Sequence, residues 1–163
     1  MSRYNLITGA LFGLTAVLVG TVFESTVKTK LDEELSEKEF ELPEELDADG
    51  NILKPKRSII SEMDRADIAD RWKSYRDGCQ YIMYHGFSML FLGFIASRAA
   101  KTNILAKLGG ACFTFGALFL GFGLAIAGIG DLPILAVMAP LGALAFCGGW
   151  ICITILSIRA DAT

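Results

Sequence analysis

Four apolar runs of membrane-spanning length limit what this chain can fold into more than any other feature of its sequence. They cover about residues 4–23, 79–98, 104–129 and 134–158. Each meets or exceeds the ~20 residues an α-helix needs to cross the hydrocarbon core. Backbone groups inside lipid must satisfy one another, so four such runs predict an all-α, four-helix transmembrane bundle in a single membrane domain spanning residues 1–163. The apolar residues, 53% of the chain with a mean hydropathy of +0.47, are gathered in blocks rather than spread at core periodicity. Arg3 ahead of the first run raises a signal peptide, but the run is long for one and no A-x-A-like site follows, so an uncleaved anchor is expected.

Charge is concentrated between the first two runs. Sixteen acidic and ten basic residues lie between Glu24 and Asp77, a local balance of −6 in a chain whose net charge is −3. This predicts a long acidic, partly helical extramembrane segment over residues 24–78. Val27, Leu31 and Leu35 recur every four residues, so the first helix should continue two or three turns beyond the membrane. Residues 36–50 read as a solvated acidic loop, broken by Pro43 and ending in a turn at Asp49-Gly50-Asn51. The string Asp47-x-Asp49-Gly50 is not a calcium loop, because the glycine comes early and Ser58 stands where a bidentate acid belongs. Ser61 followed by Asp64 marks a capped helix start. Ile68, Trp72 and Tyr75 then share a face, predicting an amphipathic helix at headgroup level, with Trp72 and Tyr75 as anchors, that runs through Gly78 into the second span.

Within the spans, small residues fall on single helix faces: Gly9, Gly13, Ala16 and Gly20; Ala117, Gly121 and Ala125; Ala139, Ala143 and Cys147. Such faces let backbones approach closely, which is what drives helix association in lipid. Gly142, Gly149 and Trp150 are read as packing residues of the fourth span, and Pro140 as its kink. The second span holds the only histidine, His85, with Tyr81, Ser88 and Met89 on its face. An ionisable group at membrane depth asks for a partner or a function, so Tyr81, His85, Ser88 and Pro140 form the candidate polar site. One histidine with no carboxylate in any span cannot hold a metal, and no serine or cysteine stands in a recognisable nucleophilic setting. Cys79, Cys112, Cys147 and Cys152 lack metal-like spacing and read as small packing residues. The absence of a basic stripe interleaved with aromatics argues against nucleic acid.

Two motifs resemble those of the domain of unknown function 423 (DUF423) family of small integral membrane proteins, which includes the transmembrane protein 256-like proteins. One is Gly78-x-x-Tyr81-x-x-x-His85 with Trp72 upstream; the other is Pro140-x-Gly142-Ala143-x-x-Phe146-x-x-Gly149-Trp150, with Phe119-x-Gly121 a weaker echo. The resemblance covers nearly all of the chain except about residues 32–62. It implies a small four-helix membrane protein and carries no established activity. The chain departs from it at Gly20-Thr21-Val22-Phe23-Glu24-Ser25, where the family commonly ends its first span in histidine.

The sequence therefore predicts a non-enzymatic integral membrane protein, an accessory or structural component with no cofactor. The alternative is small-molecule or lipid binding, or transport, through an intrabundle pocket at His85. Membrane lipids are the expected surroundings, with a protein partner or a second copy engaging the helix faces or the acidic loop. Arg3, Arg98, Lys101, Lys107 and Arg159 would share one side with only Asp161 to offset them. This places both termini in the cytoplasm of a bacterial inner or plasma membrane.

Overall fold

The computed structural model describes residues 2–46, 52–98, 104–130 and 132–160. The expected turn at Asp49-Gly50-Asn51, and Asp131, Lys101 and Asp161, lie outside the described residues. Among the described residues, four helices are long and apolar enough to cross a membrane: Ser2–Val22, Glu62–Arg98, Ile104–Gly130 and Pro133–Arg159. The first comprises α1 (Ser2–Val17) and a π-helical turn at Leu18–Val22. After Phe23 the chain continues as α2 (Glu24–Glu37), nearly four turns against the two or three expected. The second is α3 (Glu62–Arg98), one unbroken helix of 37 residues, about 55 Å at 1.5 Å per residue. The third runs through α4 (Ile104–Gly116), a second π-helical turn at Ala117–Phe122, and α5 (Gly123–Gly130). The fourth is split into α6 (Pro133–Val137) and α7 (Ala139–Ala160).

Backbone-close contacts set the arrangement. A Cβ on Gly9 would come within 2.7 Å of the Gly86 carbonyl, and one on Gly20 within 3.3 Å of Cys79 Cβ, so α1 lies antiparallel on α3. On another side of α3, a Cβ on Gly78 would meet the Ala125 nitrogen at 2.4 Å, and one on Gly121 would meet Ile82 at 2.7 Å. α7 packs antiparallel on the third span, where a Cβ on Gly149 would strike the Phe113 ring at 2.5 Å and one on Gly142 the Leu120 nitrogen at 2.5 Å. Gly13 acts differently: space is open beside its own Cα, yet its nitrogen is what would block a Cβ on Gly86, at 2.9 Å. The small-residue faces of the first and third spans thus become interfaces, with α3 in the middle. In the fourth span Gly142 and Gly149 make the close contact, and Cys147, of the expected face Ala139, Ala143 and Cys147, is exposed. Large side chains elsewhere point outwards, among them Leu11, Leu14, Phe87, Phe91, Phe94, Leu144 and Ile151. Such an apolar exterior suits lipid and would not suit water.

Two features of the extramembrane segment differ from the sequence expectation. The start of α3 does not lie flat at headgroup level. It stands beside α2, because Ile68 and Tyr75 bury themselves against Val27 and Leu31, with Trp72 and Leu35 covering the cluster. Most of the apolar face expected to meet lipid packs on another helix, and Trp72 keeps part of its ring open beside the first span. Residues 36–50 also contain strands. β1 (Phe40–Leu42) pairs antiparallel with β4 (Arg57–Ile59), and β2 (Glu45–Leu46) with β3 (Ile52–Lys54). Lys54–Glu45 and Lys56–Glu41 ion pairs, each at 2.6 Å, bridge this hairpin. Pro43 falls between β1 and β2, where its missing N–H costs the ladder nothing. The hairpin crowns the α2–α3 pair, whose ends are held together by Lys38 Nζ, 3.1 Å from Asp64. Ser61 caps α3 as predicted, its hydroxyl accepting from the Met63 N–H at 3.2 Å.

Candidate functional site

His85 is fully buried in the bundle. Its Nδ1 lies 2.6 Å from the Tyr81 carbonyl one turn earlier. A carbonyl oxygen only accepts, so Nδ1 carries the proton, and a neutral ring leaves its lone pair on Nε2. Among the described residues Nε2 has no hydrogen-bond partner. It is aimed at the bare Cα of Gly116, where a Cβ would sit 2.3 Å away. Two rings close the remaining sides, Phe146 at a centroid distance of 4.3 Å and Phe113 edge-on at 6.5 Å. Phe113 and Phe146 each also pack edge-on against Trp150, at 6.2 and 6.1 Å. An imidazole so enclosed is positioned by packing and is screened from a substrate on every side described.

The other sequence candidates stand apart from this centre. Tyr81 contributes its backbone carbonyl, while its ring lies edge-on to Tyr84 at 6.2 Å. Ser88 is buried but donates along its own helix to the Tyr84 carbonyl, at 2.8 Å. Pro140 is exposed, in the first turn of α7, where a helix needs no N–H from it. The break in the fourth span falls at Met138, two residues before Pro140, on the side where a proline's missing N–H and its ring interrupt a helix. Gly142, two residues on, comes to the histidine's side: a Cβ on Gly116 that met the His85 ring would also stand 3.2 Å from the Gly142 carbonyl. Trp150 is 44% exposed and lines an open apolar groove of about 540 Å³ between α3 and α7, with Tyr84, Phe87 and Phe91. No group of three or more His, Cys, Asp or Glu that could hold a metal occurs among the described residues.

Two polar constellations escaped the sequence reading. Asn5, in the first span, is fully buried and donates through Nδ2 to the Ala106 carbonyl at 3.2 Å. Its Oδ1 faces the bare Cα of Gly110, repeating the His85–Gly116 arrangement on another helix pair. An amide inside an apolar run was the available signal. The second constellation is a clasp at the C-terminal end of α5. Arg71 donates to the carbonyls of Gly128 at 3.3 Å and Ile129 at 3.2 Å, and pairs with Glu34 at 2.7 Å. Lys30 adds a bond to the Ile129 carbonyl at 3.1 Å and stands 3.5 Å from Glu34. The hydrogen bond from Arg71 holds the Glu34 carboxyl below its ordinary value of 4.5, against a smaller opposing effect of burial. Positive groups at a helix C-terminus oppose the negative end of its dipole and satisfy carbonyls the helix leaves free. The clasp therefore ties α2 and α3 to the end of the third span. Its members are 37 and 58 residues apart in sequence, which is why spacing gave no sign of it.

A family model described as "Protein of unknown function (DUF423)" matches residues 55–143. UPF0382 membrane protein YwdK of Bacillus subtilis is 29% identical over 93 residues, 56% of this chain and 75% of that protein. UPF0382 membrane proteins of Staphylococcus haemolyticus and Staphylococcus epidermidis are each 27% identical over 93 residues, 56% of this chain and 74% of theirs. No solved structure matches the chain. The motif at Gly78, Tyr81 and His85 and the first residues of the second motif, Pro140, Gly142 and Ala143, fall inside the matched region; α1, α2 and β1–β3 precede it, and Phe146, Gly149 and Trp150 follow it. The chain belongs to the DUF423 family of membrane proteins of unknown function.

Proposed function

We propose that the protein is a non-enzymatic accessory component of a membrane assembly, whose bundle holds an acidic extramembrane arm in fixed pose for a basic protein partner. The clasp of Arg71, Glu34 and Lys30 on the Gly128 and Ile129 carbonyls is the observation that carries this reading. A loop that merely connected two spans would not need its helices packed around Val27, Leu31, Ile68 and Tyr75 and then tied to the third span. His85 supports the same view from the other side, being enclosed by Phe113, Phe146 and Gly116 rather than opening on a cavity. In this reading His85 fixes the register of α3 against α4 and α7, and Gly9, Gly20, Gly121, Gly142 and Gly149 let the helices meet. Both termini face the cytoplasm, following the basic residues at the ends of the spans, and the arm stands on the opposite side.

The test is the native mass of the tagged protein, solubilised gently from its own membranes, and the identity of what accompanies it. Because α2 and α3 end side by side, residues 40–59 can be replaced by a short Gly-Ser turn without opening the helix pair. A heteromeric complex that is lost on this replacement supports the proposal. A homo-oligomer or monomer in both forms, or a complex indifferent to the replacement, contradicts it.

A further inference from the structure

A groove of about 600 Å³ follows the seam between the first span and α3, where the apolar span gives way to the charged arm. The helices run antiparallel, so Ala16 and Met83 mark its apolar end, and Glu24 and Trp72 its aqueous end. Eight residues separate Ala16 from Glu24, a length of about 12 Å. The π-helical turn at Leu18–Val22 forms one wall, and Tyr75 fixes it by donating its hydroxyl to the Val19 carbonyl. Ala16 and Gly20 keep that wall low.

The aqueous end carries both signs of charge. Lys73 and Arg76 line it together with Glu24 and Asp77, and none of the four makes an ion pair with another described residue. Elsewhere on the arm Lys30, Lys38, Lys54, Lys56 and Arg71 are paired, while Lys28, Arg57 and Arg65 make no ion pair with another described residue. Two cations and two carboxylates left unpaired around one recess suit a ligand that carries both charges itself. Trp72, stacked on Tyr75 at 5.7 Å, presents an aromatic wall for a cationic group.

We infer that this groove binds a zwitterionic phospholipid with a primary ammonium headgroup. The phosphate lies against Arg76 and Lys73, the ammonium donates to Glu24 and Asp77 beside Trp72, and an acyl chain descends along Ala16, Gly20 and Met83. An anionic headgroup would meet two carboxylates without compensation. A quaternary ammonium could use the Trp72 face but has no N–H for the acids. The inference is independent of the partner proposed above, since it concerns the other face of the arm and needs only lipid.

The experiment uses the full chain, delipidated in a maltoside detergent and titrated with phosphatidylethanolamine, phosphatidylcholine and phosphatidylglycerol of equal chain length, with bound lipid counted by native mass spectrometry. One equivalent of phosphatidylethanolamine should be retained about tenfold more tightly than the other two. Arg76→Gln should remove about tenfold of that affinity, and the double variant Glu24→Gln, Asp77→Asn should abolish the preference over phosphatidylcholine. Helical content by circular dichroism identifies any variant that fails to fold, and Lys73→Gln then replaces Arg76→Gln. Equal retention of all three lipids, or an unchanged preference in folded variants, would overturn the inference. Displacement of the lipid by O-phosphoethanolamine alone at equal concentration would overturn the lipid assignment in favour of a soluble phosphoamine.

Discussion

His85 and Arg71 sit on the same helix, four turns apart, and both are taken largely out of water, yet they are accommodated in opposite ways. His85 has one carbonyl partner, a lone pair facing a glycine, and a wall of aromatic rings. Arg71 has a carboxylate and two carbonyls from a different span, so each of its contacts is with a charge or a dipole of the right sign. A neutral ring tolerates an unpaired acceptor at modest cost, whereas a guanidinium cannot be neutralised and must be satisfied where it stands. The difference teaches which region is under electrostatic obligation. The bundle core is a packing problem solved by glycines and rings. The root of the arm is a charge problem solved by a clasp.

The largest effect is expected where one substitution damages both regions. Gly78 stands on α3 between them, and a Cβ there would meet backbone atoms of Gly121 and Ala125 that cannot turn aside. Gly78→Ala should cost about 3 kcal/mol, measured by unfolding in mixed micelles. Next comes the clasp itself. Arg71→Gln leaves Glu34 and the α5 carbonyls short of a donor, an expected loss of about 2 kcal/mol. That loss should appear as faster amide exchange in α2 and the hairpin while the spans stay protected. Equal loosening of the whole chain would erase the distinction drawn above.

Within the core, Gly116→Ala should cost about 1–2 kcal/mol, since its Cβ would meet the His85 ring at 2.3 Å and the Gly142 carbonyl less closely, at 3.2 Å. In a His85→Ala background only the Gly142 contact remains, and the same change should cost clearly less. A double-mutant cycle measures that coupling, and additivity would mean that Gly116 does not shape the histidine site. Ser61→Ala removes the cap of α3 and should cost about 1 kcal/mol, confined to the arm.

The smallest effect is that of pH. The Glu34 carboxyl is held below its ordinary 4.5 in the folded arm, so it contributes stability above that pH and loses it as pH falls through the lowered value. Exchange protection in α2 should therefore hold as pH falls through the ordinary carboxyl value of 4.5 and decline only below it. In Arg71→Gln this acid-dependent step should disappear.

Much of this architecture was legible before any coordinates. The four spans, the continuation of the first helix through Val27, Leu31 and Leu35, the Ser61 cap and the passage of α3 through Gly78 follow from local spacing, and local spacing is what a sequence displays. What escaped depends on contacts between distant segments. The hairpin was hidden because Glu41 and Glu45 in its strands, with Glu39 and Glu44 beside them, make the stretch look like a charged loop, and Glu41 and Glu45 find their partners only in the distant Lys56 and Lys54. Trp72 and Tyr75 have the composition of interfacial anchors, and nothing local distinguishes a face turned to lipid from one turned to another helix. His85 was visible as a singular residue, but the group that shapes its site is Gly116, which has no side chain to announce it. Pro140 was visible as a helix breaker, and the fourth span is interrupted two residues before it.

The account rests on the arm being the part that acts and the histidine core the part that supports it. Its most direct test is partner retention, read as native mass after gentle solubilisation, for His85→Phe and Arg71→Gln side by side. His85→Phe keeps a ring of similar shape between Phe113 and Phe146, and the account predicts that it retains the complex. Arg71→Gln should release it, with the bundle still folded. Loss of the complex or of a bound small molecule with His85→Phe, and retention with Arg71→Gln, would contradict the account and move the function to the histidine.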